Sequence, residues 1–278
     1  MIPAWTDHTV ETAGGARVPV RVFGKRVPGA PVVLHLHGGA FTGGLLDTNP
    51  TLPALLVRAG AVVASADYPL SPEHRFPHAL ETMFDVLGAL QRCCAEWASR
   101  RSEIFVAGEE AGGNLAAALA LMARDRRATL AGQILLSPML DPLMGTCSLR
   151  SAEAGAVGCP WADGWHAYLG SPEKAAHPYA APLSASRLAG VAPALLLTAQ
   201  DDPLRDESET YARRLREAGV RVQFAVLPGP TGWPVALSLP ADEAPAPWAS
   251  DVVEHLKQFF VAAANIRRPV ASAHSVLV

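Results

Sequence analysis

The sequence predicts an α/β fold in which a mostly parallel central sheet is covered by helices on both faces. Three observations predict it: short β-branched and apolar runs recur along the chain, helix-length segments with 3.6-residue periodicity separate many of them, and the loops after the runs carry chemistry. Strands alternating with helices need crossover connections, which keep the strands parallel and place helices on the sheet. In chain order, the first strand candidates are 17–23 and 31–36, each closed by turn residues, followed by a helical segment at 52–58. A strand at 61–66 leads to a long helix at 78–98. The strand at 104–107 precedes an Ala-rich helix at 111–124, and a further strand lies at 132–136. The last part reads as strand 194–198, helix 206–218, strand 220–227 and helix 248–263, with a Pro-rich loop over 240–247.

A chain of 278 residues with 50% hydrophobic side chains can bury one large core, so a single domain over 1–265 is expected. The tail 266–278, with Arg267, Arg268 and a polar stretch from Ser272 to Ser275, reads as disordered. A formal net charge of −3 and a sequence pI near 6.3 leave no basic stripe, which argues against nucleic acid as a partner. The first residues lack a basic and apolar leader, and no run approaches the ~18 apolar residues of a membrane span, so a cytoplasmic protein without a membrane partner is expected. Cys93 and Cys94 are adjacent in a helical stretch, and Cys147 and Cys159 lack metal-ligand spacing. No metal and no cofactor are expected.

Ligands of such sheets bind at the carboxyl ends of the strands. There the chain places His37-Gly38-Gly39-Ala40-Phe41, Gly108-Glu109-Glu110-Ala111-Gly112 and a stretch from Asp201 to Asp206. Gly108-x-Glu110-x-Gly112 follows a strand and opens a helix, the setting of a nucleophile elbow. Small residues at 108, 112 and 113 allow a turn tight enough to push side chain 110 out of the sheet. It comes 71 positions after His37-Gly38-Gly39, whose bare backbone can aim N–H groups at a developing oxyanion together with that of Ala111.

With Asp67 to Pro77, Leu136-Ser137-Pro138 and Asp202-Pro203-Leu204-Arg205-Asp206-Glu207 in the same order, the chain resembles the hormone-sensitive-lipase-like branch of the α/β-hydrolase family over about 18–260. The resemblance implies an α/β-hydrolase fold with an oxyanion hole at Gly38, Gly39 and Ala111, where Ala40 replaces a third glycine, and a triad acid at Asp202. It places the family's serine on Glu110. The family's histidine segment, P-G-x-x-H-G-F, reads Pro228-Gly229-Pro230-Thr231-Gly232-Trp233, one residue short, and no histidine occurs between His177 and His255. His255 is read as a surface residue of the last helix, and Asp67, Tyr68, Glu73, His74 and Phe76 as scaffold. Cap elements are expected at about 1–15 and 141–190. Phe41, Trp161, Trp165, Thr231 and Trp233 are pocket candidates. Only 36 residues precede His37, which implies a reduced N-terminal cap and a mouth open to a bulky small molecule or macrocyclic peptide.

Acyl transfer through serine needs a nucleophile, a base and an acid for the leaving group. With Glu110 at the elbow and no histidine, Ser-His-Asp hydrolysis is not expected, and a carboxylate that attacked carbon would stay trapped as its ester. Glu110 is either a general base or acid, or a plug that binds the idle amides itself. The losses are similar to those of the bottromycin-pathway peptide epimerase. The leading expectation is therefore a non-hydrolytic tailoring enzyme that epimerises a modified macrocyclic peptide by proton abstraction α to a carbonyl. The base would be Glu110 or a substrate carboxylate, with the enolate held by the hole. A ligand-binding pseudo-hydrolase resembling plant hormone receptors is the alternative, and a residual esterase the third reading.

Overall fold

The computed structural model describes residues 3–44, 46, 51–152, 159–239 and 246–267. Two strands open the chain, β1 (Trp5–Glu11) and β2 (Arg17–Phe23). Then come β3 (Val32–Leu36), α1 (Thr51–Arg58), β4 (Val62–Ala66), α2 (His78–Trp97), β5 (Ile104–Glu109), α3 (Glu110–Asp125) and β6 (Gly132–Pro138). The chain goes on through α4 (Cys147–Ser151), α5 (Pro160–Leu169), β7 (Ala194–Ala199), α6 (Arg205–Glu217), β8 (Val222–Leu227), α7 (Val235–Ser238) and α8 (Ala249–Arg267). The eight strands form one sheet in the order β1-β2-β4-β3-β5-β6-β7-β8. Pairings from β4 to β8 are parallel, and β1 and β2 join antiparallel at one edge.

Side chains alternate across a strand, so a strand covered on both sides is apolar throughout and feeds two cores. Leu34, Leu36, Ala64, Val106, Leu135 and Leu196 face one layer with α2, α3 and α6. Val33, Val63, Phe105, Ile134, Leu195 and Leu197 face the other, with α1 and α8. The Ala-rich composition of α3 follows from its position, since every residue from Glu110 to Ala123 is buried against the sheet and its neighbours.

The structure corrects the expected cap at 1–15: residues 5–11 are an edge strand, paired residue for residue with β2 from Trp5↔Phe23 to Glu11↔Arg17. Only Val10 of β1 is buried, so the segment lacks the apolar alternation that marks a strand in sequence. Between β6 and β7, α4, α5 and two short 3₁₀ turns occupy the second expected cap region, 141–190. Of the tail expected to be disordered, 268–278 lie outside the described residues, and α8 continues to Arg267. Among the described residues no helix is long and apolar enough to cross a membrane.

Glu207 joins α6 to the end of β6. Its buried Oε2 accepts the Leu140 and Asp141 N–H groups at 2.6 and 2.8 Å. Burial pushes its carboxyl from the ordinary 4.5 up to about 8. The folded chain thus holds a proton that the unfolded chain releases near pH 4.5. The stability linked to this group is complete below that pH and is lost as pH rises toward 8. Glu207→Gln keeps an acceptor for both amides without the charge. Urea melts at pH 5 and pH 8 are expected to show wild-type stability falling by on the order of a few kcal/mol more than that of the variant. Equal falls would contradict this.

Candidate active site

At the junction of β5 and α3 the chain turns within one residue, and Glu110 takes the left-handed conformation at φ 52°. Such a backbone is costly for a side chain and persists only where its surroundings enforce it. The enforcement is close packing. A Cβ on Gly108 would lie 2.3 Å from the Gly112 carbonyl, and one on Gly112 would lie 1.9 Å from the Leu36 carbonyl oxygen. The first turn of α3 therefore presses on β5 and on the end of β3, and side chain 110 stands at the carboxyl end of the sheet.

The loop after β3 faces it, with Gly39 at φ 113°, Ala40 at 49° and Phe41 at 63°. Two adjacent carboxylates divide its amides. Glu109, wholly buried, accepts the Gly38 N–H at 2.9 Å through Oε1 and meets His35 Nε2 at 2.9 Å through Oε2. His35 Nδ1 lies 2.8 Å from Ser65 Oγ, which completes a sealed Ser65–His35–Glu109 chain below the loop. Glu110 accepts the Gly39 N–H at 2.8 Å through Oε2 and the Trp161 indole N–H at 2.6 Å through Oε1, and Ala40 N–H also hydrogen-bonds to it. The expected hole is thereby corrected: Gly38 is committed to Glu109, and Gly39 and Ala40 face side chain 110. Burial raises the Glu110 carboxyl above its ordinary 4.5, against the lowering effect of the Gly39, Trp161 and Ala40 N–H groups.

A cleft of about 500 Å³ opens over Glu110. Gly39, Ala40 and Thr42 form one wall, Pro160, Trp161 and Asp163 of α5 a second, and Pro234 and Val235 a third. The α5 wall is fixed to the hole, because a Cβ on Gly164 would lie 2.2 Å from the Ala40 carbonyl oxygen.

Of the pocket candidates, Ala40 and Trp161 line this cleft. Phe41 and Trp165 lie behind it, where Phe41 stacks on Tyr168 at 4.0 Å and meets Trp165 at 5.1 Å. Trp233 is buried edge-to-face against Trp248 at 5.2 Å. Thr231 is tied away by Asp201, which accepts its N–H and hydroxyl at 2.7 and 2.9 Å and the Gly232 N–H at 2.8 Å. Ala111 is buried in the first turn of α3.

Asp202 is buried and accepts from Thr198 and Ser137 hydroxyls at 2.5 and 2.8 Å and from Leu204 N–H at 2.8 Å. Its carboxylate is occupied at the strand ends and does not line the cleft, while the neighbouring Asp201 holds the loop at Thr231 and Gly232, where the resemblance places the family's histidine segment. Tyr68 is scaffold, with its hydroxyl donating to the His37 carbonyl at 2.8 Å and its ring stacked on His37. His255 is half-buried on α8, off the cleft. Sequence reading missed His35, Thr42, Pro160, Asp163, Pro234 and Val235, and it gave Glu109 no role. For His35 and Glu109 the available signal was a polar residue inside an otherwise apolar strand.

Residues 33–231 match a family described as alpha/beta hydrolase fold. The arylesterase of Saccharolobus solfataricus is 32% identical over 209 residues, covering 73% of this chain and 68% of its own. The carboxylic ester hydrolase LipN of Mycobacterium tuberculosis is 36% identical over 233 residues, 80% of this chain and 62% of its own. The ethyl acetate hydrolase of Pseudomonas putida is 33% identical over 238 residues, 81% and 74% of the two chains. The chain thus spans between 62 and 74% of the length of these three relatives. Among solved structures, a thermostable esterase from Pseudomonas putida superposes with a TM-score of 0.82 at 29% identity, over 94% of this chain and 83% of that one. All four are named for ester cleavage, and this overturns the expected non-hydrolytic epimerase.

Proposed function

Because the chain belongs to the α/β-hydrolase-fold family, we propose that it is an esterase-like hydrolase in which Glu110 acts as general base toward water in place of a covalent serine. The observation that carries the proposal is the elbow carboxylate, buried, raised in pKa and hydrogen-bonded to the Gly39 and Ala40 amides of the loop after β3. When a substrate carbonyl takes the Gly39 and Ala40 N–H groups, Glu110 loses the bonds that hold its basicity down while keeping Trp161. The freed oxygen then receives a proton from water as that water attacks the carbonyl, and the resulting oxyanion rests on the two amides. The protonated Glu110 returns the proton to the leaving alkoxide. No acyl-enzyme forms. A carboxylic ester with a bulky non-reacting part suits the open cleft.

The test is p-nitrophenyl butyrate hydrolysis followed from the first turnover. Product is expected to rise linearly, and the protein mass to stay unchanged during turnover. A burst equal to the enzyme concentration, with an acyl adduct, would sink the proposal. Trp161→Phe removes a hydrogen bond that favours the charged carboxylate, so the acid limb of kcat/KM is expected to move to higher pH. An unmoved limb would separate Trp161 from the base. A second reading, binding without turnover, draws on the occupied amides; saturable ester binding with no product would select it.

A further inference from the structure

We infer that the cleft selects esters whose non-reacting part carries a positive charge, such as a quaternary ammonium or protonated amine. The inference rests on the hydrolase reading of the same cleft and deepens it. Two carboxylates, Glu110 and Asp163, line the cleft, and among the described residues no lysine, arginine or histidine does. The rest of the lining is apolar or small apart from Thr42 and the Trp161 indole. Glu110 is engaged by Gly39, Ala40 and Trp161 N–H groups, so it belongs to the reacting end. Asp163 stands free of that network, exposed at the rim in the first turn of α5.

Asp163 is the acidic residue of α5, and His166, three residues on, is its basic one. An aromatic ring and a rim carboxylate beside apolar surface suit a cation with alkyl substituents, which gains attraction from both and loses little hydration. A free carboxylate or phosphate would meet two like charges. The non-reacting group bound at Asp163 thus sets which ester presents its carbonyl to Gly39 and Ala40.

The test compares butyrylcholine with 3,3-dimethylbutyl butyrate, its neutral carbon isostere, on the full chain. kcat/KM is expected to favour the choline ester by about tenfold at low salt, with the ratio shrinking in 0.5 M NaCl and in Asp163→Asn. A ratio near one, or one indifferent to salt and to Asp163→Asn, would overturn the inference. Butyltrimethylammonium titrated against tryptophan fluorescence reads the cleft without turnover. Binding weakened about fivefold or more in Asp163→Asn, with the melting midpoint of the variant retained, supports the cation subsite even if neither ester is cleaved, an outcome that removes the hydrolase reading alone. Binding equal in wild type and variant overturns it.

Discussion

Glu110→Gln is expected to lower ester hydrolysis by about a hundredfold or more, the lower part of the range that positioned general bases supply. The amide cannot accept a proton from water, and its NH2 group would meet either the Trp161 N–H or the loop amides as donor against donor. Glu110→Ala separates these effects by removing the side chain and leaving the Gly39, Ala40 and Trp161 donors in place. Acetate or formate added to that variant is expected to restore part of the rate. In wild type the base must be ionised, so kcat/KM is expected to fall on the acid side with a midpoint above 4.5, because burial raises this carboxyl. A Glu110→Gln enzyme with the wild-type rate and acid limb would show that Glu110 only fills the hole.

Gly112→Ala is expected to cost more than about 4 kcal/mol and to leave most of the chain unfolded or insoluble. The added methyl would sit 1.9 Å from the Leu36 oxygen and 2.4 Å from the His37 oxygen. Both are backbone atoms of β3 and the hole loop, so no rotamer change relieves the clash, and moving either strand or helix breaks the elbow. Gly88→Ala in α2 is the contrast. Its new methyl meets only the flexible tip of Arg92 at 3.5 Å, and a helical glycine gains about 0.5–1 kcal/mol on this exchange. Urea melts of the two variants should move in opposite directions; a folded Gly112→Ala chain of normal stability would refute the packing argument.

The fold was legible where burial imposes periodicity. β3, β4, β6 and β7 are buried throughout and lie within a few residues of the runs read from sequence. β1 was not, because an edge strand with one buried residue carries no apolar signal. The elbow was legible because close backbone contact demands small residues at fixed spacing, and the same spacing placed Glu110. Amide ownership was not: whether Gly38 faces the cleft or Glu109 depends on a carboxylate reaching across from β5. Aromatics posed a similar difficulty. Trp161 and Trp165 are both plausible walls in sequence, and only the stack of Phe41, Trp165 and Tyr168 tells them apart.

The carboxylate in the hole makes the site a competition. Glu110 is fixed by the elbow opposite the Gly39 and Ala40 amides it occupies, so its local concentration there does not change with dilution, and a carbonyl entering from solution must displace it. Apparent affinity falls in proportion to the fraction of molecules with the hole vacated. Small esters, which bind through little besides the carbonyl, bear that penalty in full and should show high KM values. An ester anchored along the walls recovers it from contacts that Glu110 cannot make, so selectivity should grow with the size of the part of the molecule that does not react.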